Sequence, residues 1–301
     1  MIEYKLDGKI GSFKGSKEKI NLCLGFFDGL HVGHKYLIQQ AKSIDAKLAV
    51  LTFEGSLKRI TKKRKEGIIT TVADRRESLS ALNVDYLFVV EFTRELMQLS
   101  PIEFIQKYLK PLNINKIFVG EDFRFGRKAK GDVEMLKKYY DVEVVGYILD
   151  NGKKISTSTI IKYITEGEIM RANRLLGRKY FIKGEVVHGY NAGTTITGFP
   201  TANIQLTSDY VLPRNGVYAT KIEIDGKEYD SMTNVGIHPT INKLRQSIIE
   251  TNIFECNTDI YGKKVKLNFV KFIRHEKKFK SIDQLKSQLV IDRENIKRVL
   301  D

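Results

Sequence analysis

The chain has 301 residues, 42% of them hydrophobic and 10% aromatic, which is ample for packed cores and excludes a disordered polymer. An excess of 51 Lys and Arg over 36 Asp and Glu gives a charge of +15, which suits anionic small substrates or a solvated lysine-rich surface. Nucleic-acid binding is not expected, because the densest basic run, residues 58–65, has no interleaved aromatics. No apolar stretch nears the ~20 residues of a membrane span, the N-terminus lacks a secretory layout, and Cys23 and Cys256 read as free thiols of a reducing cytoplasm.

Ile20–Leu24 reads as a strand and is followed by Gly25-Phe26-Phe27-Asp28-Gly29-Leu30-His31-Val32-Gly33-His34, after which Leu37, Ile38 and Ala41 recur at helical spacing. Two histidines thus fall where a strand hands over to a helix. Glycines there let a ligand approach the backbone, and a helix N-terminus offers free N–H groups and partial positive charge. Imidazoles donating hydrogen bonds at that point suit the phosphates of a nucleotide.

Further along, residues 46–53 read as a strand, 73–82 as a helix and 86–90 as a strand; residues 58–65 read as an exposed loop. A helix begins at Ser100 as N-cap with Pro101 first inside and Glu103 in the first turn. A strand at 116–119, a helix near 133–140 and a strand at 142–148 follow. Such alternation predicts a parallel sheet with helices on both faces, whose ligands bind beyond the carboxyl ends of the strands. Gly120-Glu121-Asp122-Phe123-Arg124-Phe125-Gly126 lies at one such end: its aromatics suit stacking on a ring system and its arginine a phosphate. Ser156-Thr157-Ser158-Thr159-Ile160-Ile161-Lys162 sets hydroxyls at a helix start with a cation one turn on, a pattern shared by caps and phosphate sites. A helical stretch at 159–176 with Gly177 as C-cap reads as a connector.

Beyond residue 180 the pattern turns β-rich, with segments at 183–188, 216–224, 247–254 and 264–272 and a last helix from Ser281 to Leu300, which predicts a small barrel with a terminal helix. Gly198-Phe199-Pro200-Thr201-Ala202-Asn203 is a stiff turn presenting a hydroxyl and a carboxamide two residues apart, on one face if the segment is extended. Oxygen ligands of that kind suit Mg²⁺ bound with a nucleotide.

The first-half strings, together with Asn83-Val84-Asp85-Tyr86-Leu87 and Leu99-Ser100-Pro101, resemble the nucleotidyltransferase domain of bacterial FAD synthetases. The glycine-phenylalanine-proline-threonine string, with Gly216-Val217-Tyr218, Asn234-Val235-Gly236, Asp259-Ile260-Tyr261-Gly262 and Arg274-His275-Glu276, resembles riboflavin kinases. The whole chain therefore resembles the prokaryotic bifunctional riboflavin kinase/FMN adenylyltransferases. That resemblance implies a Rossmann-like adenylyltransferase domain over 1–180, connector included, and a β-barrel kinase domain over 181–301. It implies phosphorylation of riboflavin to FMN with ATP, then transfer of AMP from ATP to FMN, giving FAD and pyrophosphate, with Mg²⁺ as cofactor.

By the same resemblance His31 and His34 act on the ATP phosphates, with Gly25, Phe27, Asp28, Gly33, Ser158, Thr159 and Lys162 around the nucleotide and Asp122, Phe123 and Arg124 toward the flavin. In the kinase half, Gly198, Pro200, Thr201 and Asn203 bind ATP, Thr201 and Asn203 hold the metal, and Glu250 is the base. The chain departs from the family pattern at Lys162, where arginine is usual, and at Gly55-Ser56-Leu57, where a proline-histidine-proline element is usual. It departs again at Thr194-Thr195-Ile196-Thr197, in place of a loop with arginine and leucine, and at His238, in place of arginine. These departures keep two alternatives open, a monofunctional FAD synthetase with a weakened kinase module and a non-catalytic flavin-binding regulator. A cytoplasmic monomer or weak homo-oligomer is expected, with neither membrane nor nucleic acid as partner.

Overall fold

A computed structural model describes residues 1–7, 18–43, 45–55, 67–188, 198–239, 245–256 and 258–301, with the backbone alone at 237–239 and 245–248. The loop at 58–65 and the Thr194–Thr197 segment lie outside the described residues. The chain divides into two units, Met1–Thr157 and Ser158–Asp301.

In the first unit β1 (Ile2–Leu6), β2 (Ile20–Leu24), β3 (Lys47–Glu54), β4 (Tyr86–Glu91), β5 (Ile114–Gly120) and β6 (Val142–Val145) form one sheet in the order β1-β4-β3-β2-β5-β6. Every pairing is parallel. Helices α1 (Val32–Gln40), α2 (Val72–Ala81), α3 (Arg94–Gln98), α4 (Pro101–Phe104, running into a π turn at Ile105–Leu109) and α5 (Val133–Lys137) connect them. Alternate residues of one strand enter different cores. Leu22, Leu51, Phe88 and Ile117 join Tyr108 and Leu109 on one face, whereas Cys23, Val50, Leu87 and Phe118 join Leu37, Ile38 and Leu79 on the other. Burial on both faces explains the largely apolar runs of β2 and β3, in which the polar Asn21 and Thr52 are themselves buried. The chain leaves β2 through α1 toward β3, while β5 flanks β2 on the opposite side. The strand order therefore reverses at β2/β5, and a crevice opens beyond their carboxyl ends.

Several sequence expectations are adjusted. The strand expected at 142–148 ends at Val145, and a short hairpin follows, β7 (Leu149–Asp150) with β8 (Lys153–Lys154). The helix near 133–140 stops at Lys137. The stretch at 159–176 is two helices, α6 (Thr157–Thr165) and α7 (Ile169–Leu176), because Gly167 takes φ +80° between them. Gly177 caps α7 in the left-handed conformation, φ 61°, as expected. α7 belongs with the second unit: Asn173 Nδ2 donates to the Phe269 carbonyl at 2.9 Å and its Oδ1 accepts from the Tyr180 N–H at 2.6 Å.

In that unit β9 (Tyr180–Val187), β10 (Ala202–Leu206), β11 (Gly216–Ile224), β12 (Lys227–Pro239), β13 (Arg245–Ile253) and β14 (Lys264–Arg274) close a barrel in the order β10-β13-β12-β11-β14-β9. Tyr180, Tyr218 and Phe269 fill it, fully buried. A run of buried hydroxyls joins them, Thr220 to Ser231 at 2.8 Å, Thr220 to Thr233 at 2.7 Å and Thr233 to Thr251 at 3.0 Å. The terminal helix α8 (Ile282–Leu300) starts at Ser281, whose hydroxyl accepts the Gln284 N–H. Its Ile296 packs with Val217, Ala219, Met232 and Phe254 on the barrel's outer wall.

Candidate active sites

The turn between β2 and α1 is tightly wound. Phe27 at φ 52°, Gly29 at 79° and Leu30 at 44° all lie in the left-handed region, which costs a non-glycine residue of order 1 kcal/mol or more. Burial and hydrogen bonds hold it there. Phe27 and Leu30 are fully buried. The Asp28 carboxylate accepts the N–H groups of Ile69 at 3.1 Å and Thr70 at 2.9 Å and the Thr70 hydroxyl at 3.0 Å. The Thr70 hydroxyl in turn accepts the Gly29 N–H at 2.8 Å. Asp28 is thus turned toward residues 69–70 as a brace of the turn.

His31 caps α1: its Nδ1 accepts the His34 N–H at 3.3 Å. In the neutral ring this leaves the proton on Nε2, so the side chain presents an N–H donor away from the helix. The two imidazoles stack with centroids 3.5 Å apart and planes at 17°, and Phe27 meets the His34 ring edge-on at 5.2 Å. A Cβ on Gly33 would stand 3.2 Å from His31 Nδ1, so the glycine clears room for the cap. Gly25 is packed under the Phe27 ring in the same way, at 3.1 Å. Burial, with Lys154 nearby, lowers His31 to a pKa of about 4. His34 is held well below the ordinary imidazole value by burial and by the charges of His31, Arg75 and Lys154. Both rings are neutral at pH 7 beside fixed cations.

Lys154 at the end of β8 pairs with Asp122 and lies 3.9 Å over the Tyr147 ring. Asp122, expected on the flavin side, is therefore drawn to a lysine close enough to the histidines to act on their charge. Phe123 stacks on Phe125 at 5.8 Å, and Arg124 is exposed. An aromatic wall that sequence reasoning missed runs along the same strand ends: half-exposed Phe26 meets Phe53 at 4.8 Å and Phe92 at 5.2 Å. The Thr157 hydroxyl, at the end of the first unit, donates to the Asp28 carbonyl of the turn at 3.3 Å. Ser158, Thr159 and Lys162 fall in the second unit, where Lys162 pairs with Glu166 at 3.9 Å on the surface of α6.

On the barrel, Gly198 takes φ 73°, and the Pro200 carbonyl accepts from Asn252 Nδ2 at 2.6 Å, fixing the turn before β10. Asn203 on β10 stands in register with Glu250 on β13, and Glu250 with Asn234 on β12. Directly opposed residues share a face, so a carboxylate is flanked by two carboxamides. Thr201 is half-buried two residues before Asn203. Glu276 lies over Gly236, where a Cβ would stand 2.7 Å from its Oε1, and accepts a long bond from Asn215 Nδ2 at 3.5 Å. Among the described residues no group of three or more His, Cys, Asp or Glu side chains gathers as for a metal. Hydroxyl and carboxamide oxygens such as those of Thr201 and Asn203 nevertheless fit Mg²⁺, which shares its shell with phosphate and water.

Residues 14–159 match the family described as FAD synthetase and residues 176–300 the family described as riboflavin kinase. The chain is 37% identical to the bifunctional riboflavin kinase/FMN adenylyltransferase of Bacillus subtilis (strain 168), over 93% of this chain and 92% of that one. It is 38% identical to the protein of the same description from Listeria monocytogenes, over 91% and 90%. A crystal structure described as a macrolide-efflux protein from Streptococcus pneumoniae superimposes with a TM-score of 0.89 at 32% identity, over 99% of both chains. Among the described residues no helix is long and apolar enough to cross a membrane.

Proposed function

Since the chain belongs to the family of bifunctional riboflavin kinase/FMN adenylyltransferases, we propose that its two reactions divide as its two units do. It phosphorylates riboflavin to FMN with ATP and converts FMN to FAD with a second ATP. We assign adenylyl transfer to the turn carrying His31 and His34, and phosphorylation to the barrel face carrying Glu250. The stacked, neutral histidine pair at the switch point of the sheet is the observation that carries the first assignment.

In adenylyl transfer an FMN phosphate oxygen attacks the α-phosphorus of ATP, and the bond to the β-phosphate breaks as pyrophosphate leaves. Negative charge grows on the leaving oxygens. His31 Nε2–H is a preorganised donor for it, and Lys154 supplies a full positive charge once its hold on Asp122 is exchanged for phosphate. The exposed face of Phe26, beside Phe53 and Phe92, is our assignment for the isoalloxazine ring. On the barrel, Glu250 takes the proton of the ribityl 5′-hydroxyl while that oxygen attacks the γ-phosphorus and ADP leaves. Thr201 and Asn203 would hold Mg²⁺, which neutralises phosphate charge when bound. We take the charge of +15 as a field for anionic substrates rather than a nucleic-acid surface, and the cytoplasm as the compartment that suits two free cysteines.

Incubation with riboflavin, ATP and Mg²⁺, with chromatographic separation of the flavins, tests the division. His34→Ala should make FMN but no FAD, and Glu250→Gln should make FAD from supplied FMN but no FMN from riboflavin. Equal loss of both products in either folded variant would overturn the assignment.

A further inference from the structure

Arg75 is a buried cation outside every motif read from the sequence, on the first turn of α2 and 5% exposed. Its guanidinium reaches three separate pieces of chain. Nη1 donates to the Phe26 carbonyl and to the Thr52 hydroxyl, both at 2.5 Å, Nη2 to the Phe53 carbonyl at 2.9 Å, and Nε to the Thr71 carbonyl at 3.4 Å. The Thr52 hydroxyl, itself fully buried, donates to the same Phe26 carbonyl at 2.7 Å. All these acceptors are neutral, so the charge is not cancelled by contact. Burying such a charge is costly, and a merely structural tie is obtained more cheaply from a neutral side chain.

We infer that Arg75 is a positioning residue for adenylyl transfer: it clamps the Phe26 carbonyl of the histidine-bearing turn to the end of β3, and it keeps a permanent positive charge near His34. The inference rests on the assignment of that reaction to His31 and His34. Phe26 immediately precedes the strained residue Phe27, whose ring packs against His34, so the clamp holds the peptide that leads into the ring contacting that imidazole. The groups acting on His34 are His31, Arg75 and Lys154, all positive or potentially so, and each favours the neutral ring. Around Arg75 stand Asp28, Glu54 and Asp74, which favour its charged form against burial. A neutral His34 can stack on His31; two imidazolium rings at 3.5 Å would repel.

The test uses the full chain, with riboflavin phosphorylation in the same sample as the control for intact protein. Arg75→Gln should lower kcat for FAD formation about 100-fold, the scale of a misplacement near 1 Å, with phosphorylation within about twofold of wild type. The His34 titration, followed by NMR of labelled histidine, should move to higher pH in Arg75→Gln. In Arg75→Lys, which keeps the charge and loses the planar fork, the titration should stay in place while the rate still falls. Should Arg75→Gln fail to fold, Thr52→Val removes the bridging hydroxyl without touching the charge and should slow FAD formation several-fold with the titration unmoved. Wild-type rates in Thr52→Val and Arg75→Lys, or an unmoved His34 titration in folded Arg75→Gln, would overturn the inference. Absence of FAD formation in the wild-type chain would instead sink the reaction assignment, and the titrations would still report on Arg75.

Discussion

Asp292 on α8 offers a sharp test of how the terminal helix is held to the barrel. Its side chain is 1% exposed and accepts Arg274 Nε at 3.0 and 2.9 Å, Arg274 Nη2 at 2.7 Å and Gln288 Nε2 at 2.9 Å. Arg274, 14% exposed, also donates to the His275 carbonyl, so one guanidinium ties α8, β14 and the segment after it. Asp292→Asn keeps the shape but replaces a charged acceptor oxygen by an N–H₂ group facing the guanidinium. Losing one partner of a buried pair leaves the other charge uncompensated and costs about 3–5 kcal/mol. Exchanging both, Arg274→Met with Asp292→Leu, should recover most of that, because the Leu289 and Ile296 side of α8 already packs on an apolar wall. The chain has no tryptophan, so urea unfolding is best followed by circular dichroism together with amide NMR signals of β11 and β14. Two units need not melt together, which makes the residue-level signal the one to fit. A loss below about 1 kcal/mol in Asp292→Asn, or a double variant no more stable than the single one, would refute this reasoning.

Acidification should weaken the first unit through its histidines. His31 falls from 6.5 unfolded to about 4 folded, so the unfolded chain binds the extra proton and stability drops as pH falls between those values, by roughly 3 kcal/mol in all. His31→Gln should flatten that part of the stability profile; an equal slope in variant and wild type would contradict it. Gly33→Ala should separate stability from activity. Alanine favours a helix by about 1 kcal/mol over glycine, yet its Cβ would press on the His31 ring from 3.2 Å. Melting should therefore be unchanged or slightly raised while FAD formation falls about tenfold, and wild-type turnover would show that the ring tolerates displacement.

The legible parts of this chain share one property, which is that their physical cause is local in sequence. β2 and β3 were readable because burial on both faces leaves a largely apolar run, and the caps at Ser100, Gly177 and Ser281 because a cap is a matter of neighbouring residues. β1 was missed since only Leu6 of its five residues is buried, as befits an edge strand, and β10 and β12 because polar residues such as Asn203, Gln205, Ser231 and Thr233 interrupt their apolar pattern. The break between α6 and α7 was hidden because apolar spacing runs through Gly167 without a change of phase. At the histidine site the same rule holds. His31 and His34 stand three residues apart and announce themselves, but Arg75 reaches Phe26 across 49 residues and Lys154 reaches Asp122 across 32.

No window of sequence joins those partners; only the stacking order of β2, β3 and β5 does. The consequence is chemical as well as structural. The local string supplies neutral donors, kept neutral first by burial, while the fixed positive charges that add to it, Lys154 for both rings and Arg75 for His34, come from residues the string does not contain. Two chains with the same glycine-and-histidine turn can therefore differ in adenylyl transfer through what stands at the positions of Arg75 and Lys154. A comparison confined to the turn would not detect it.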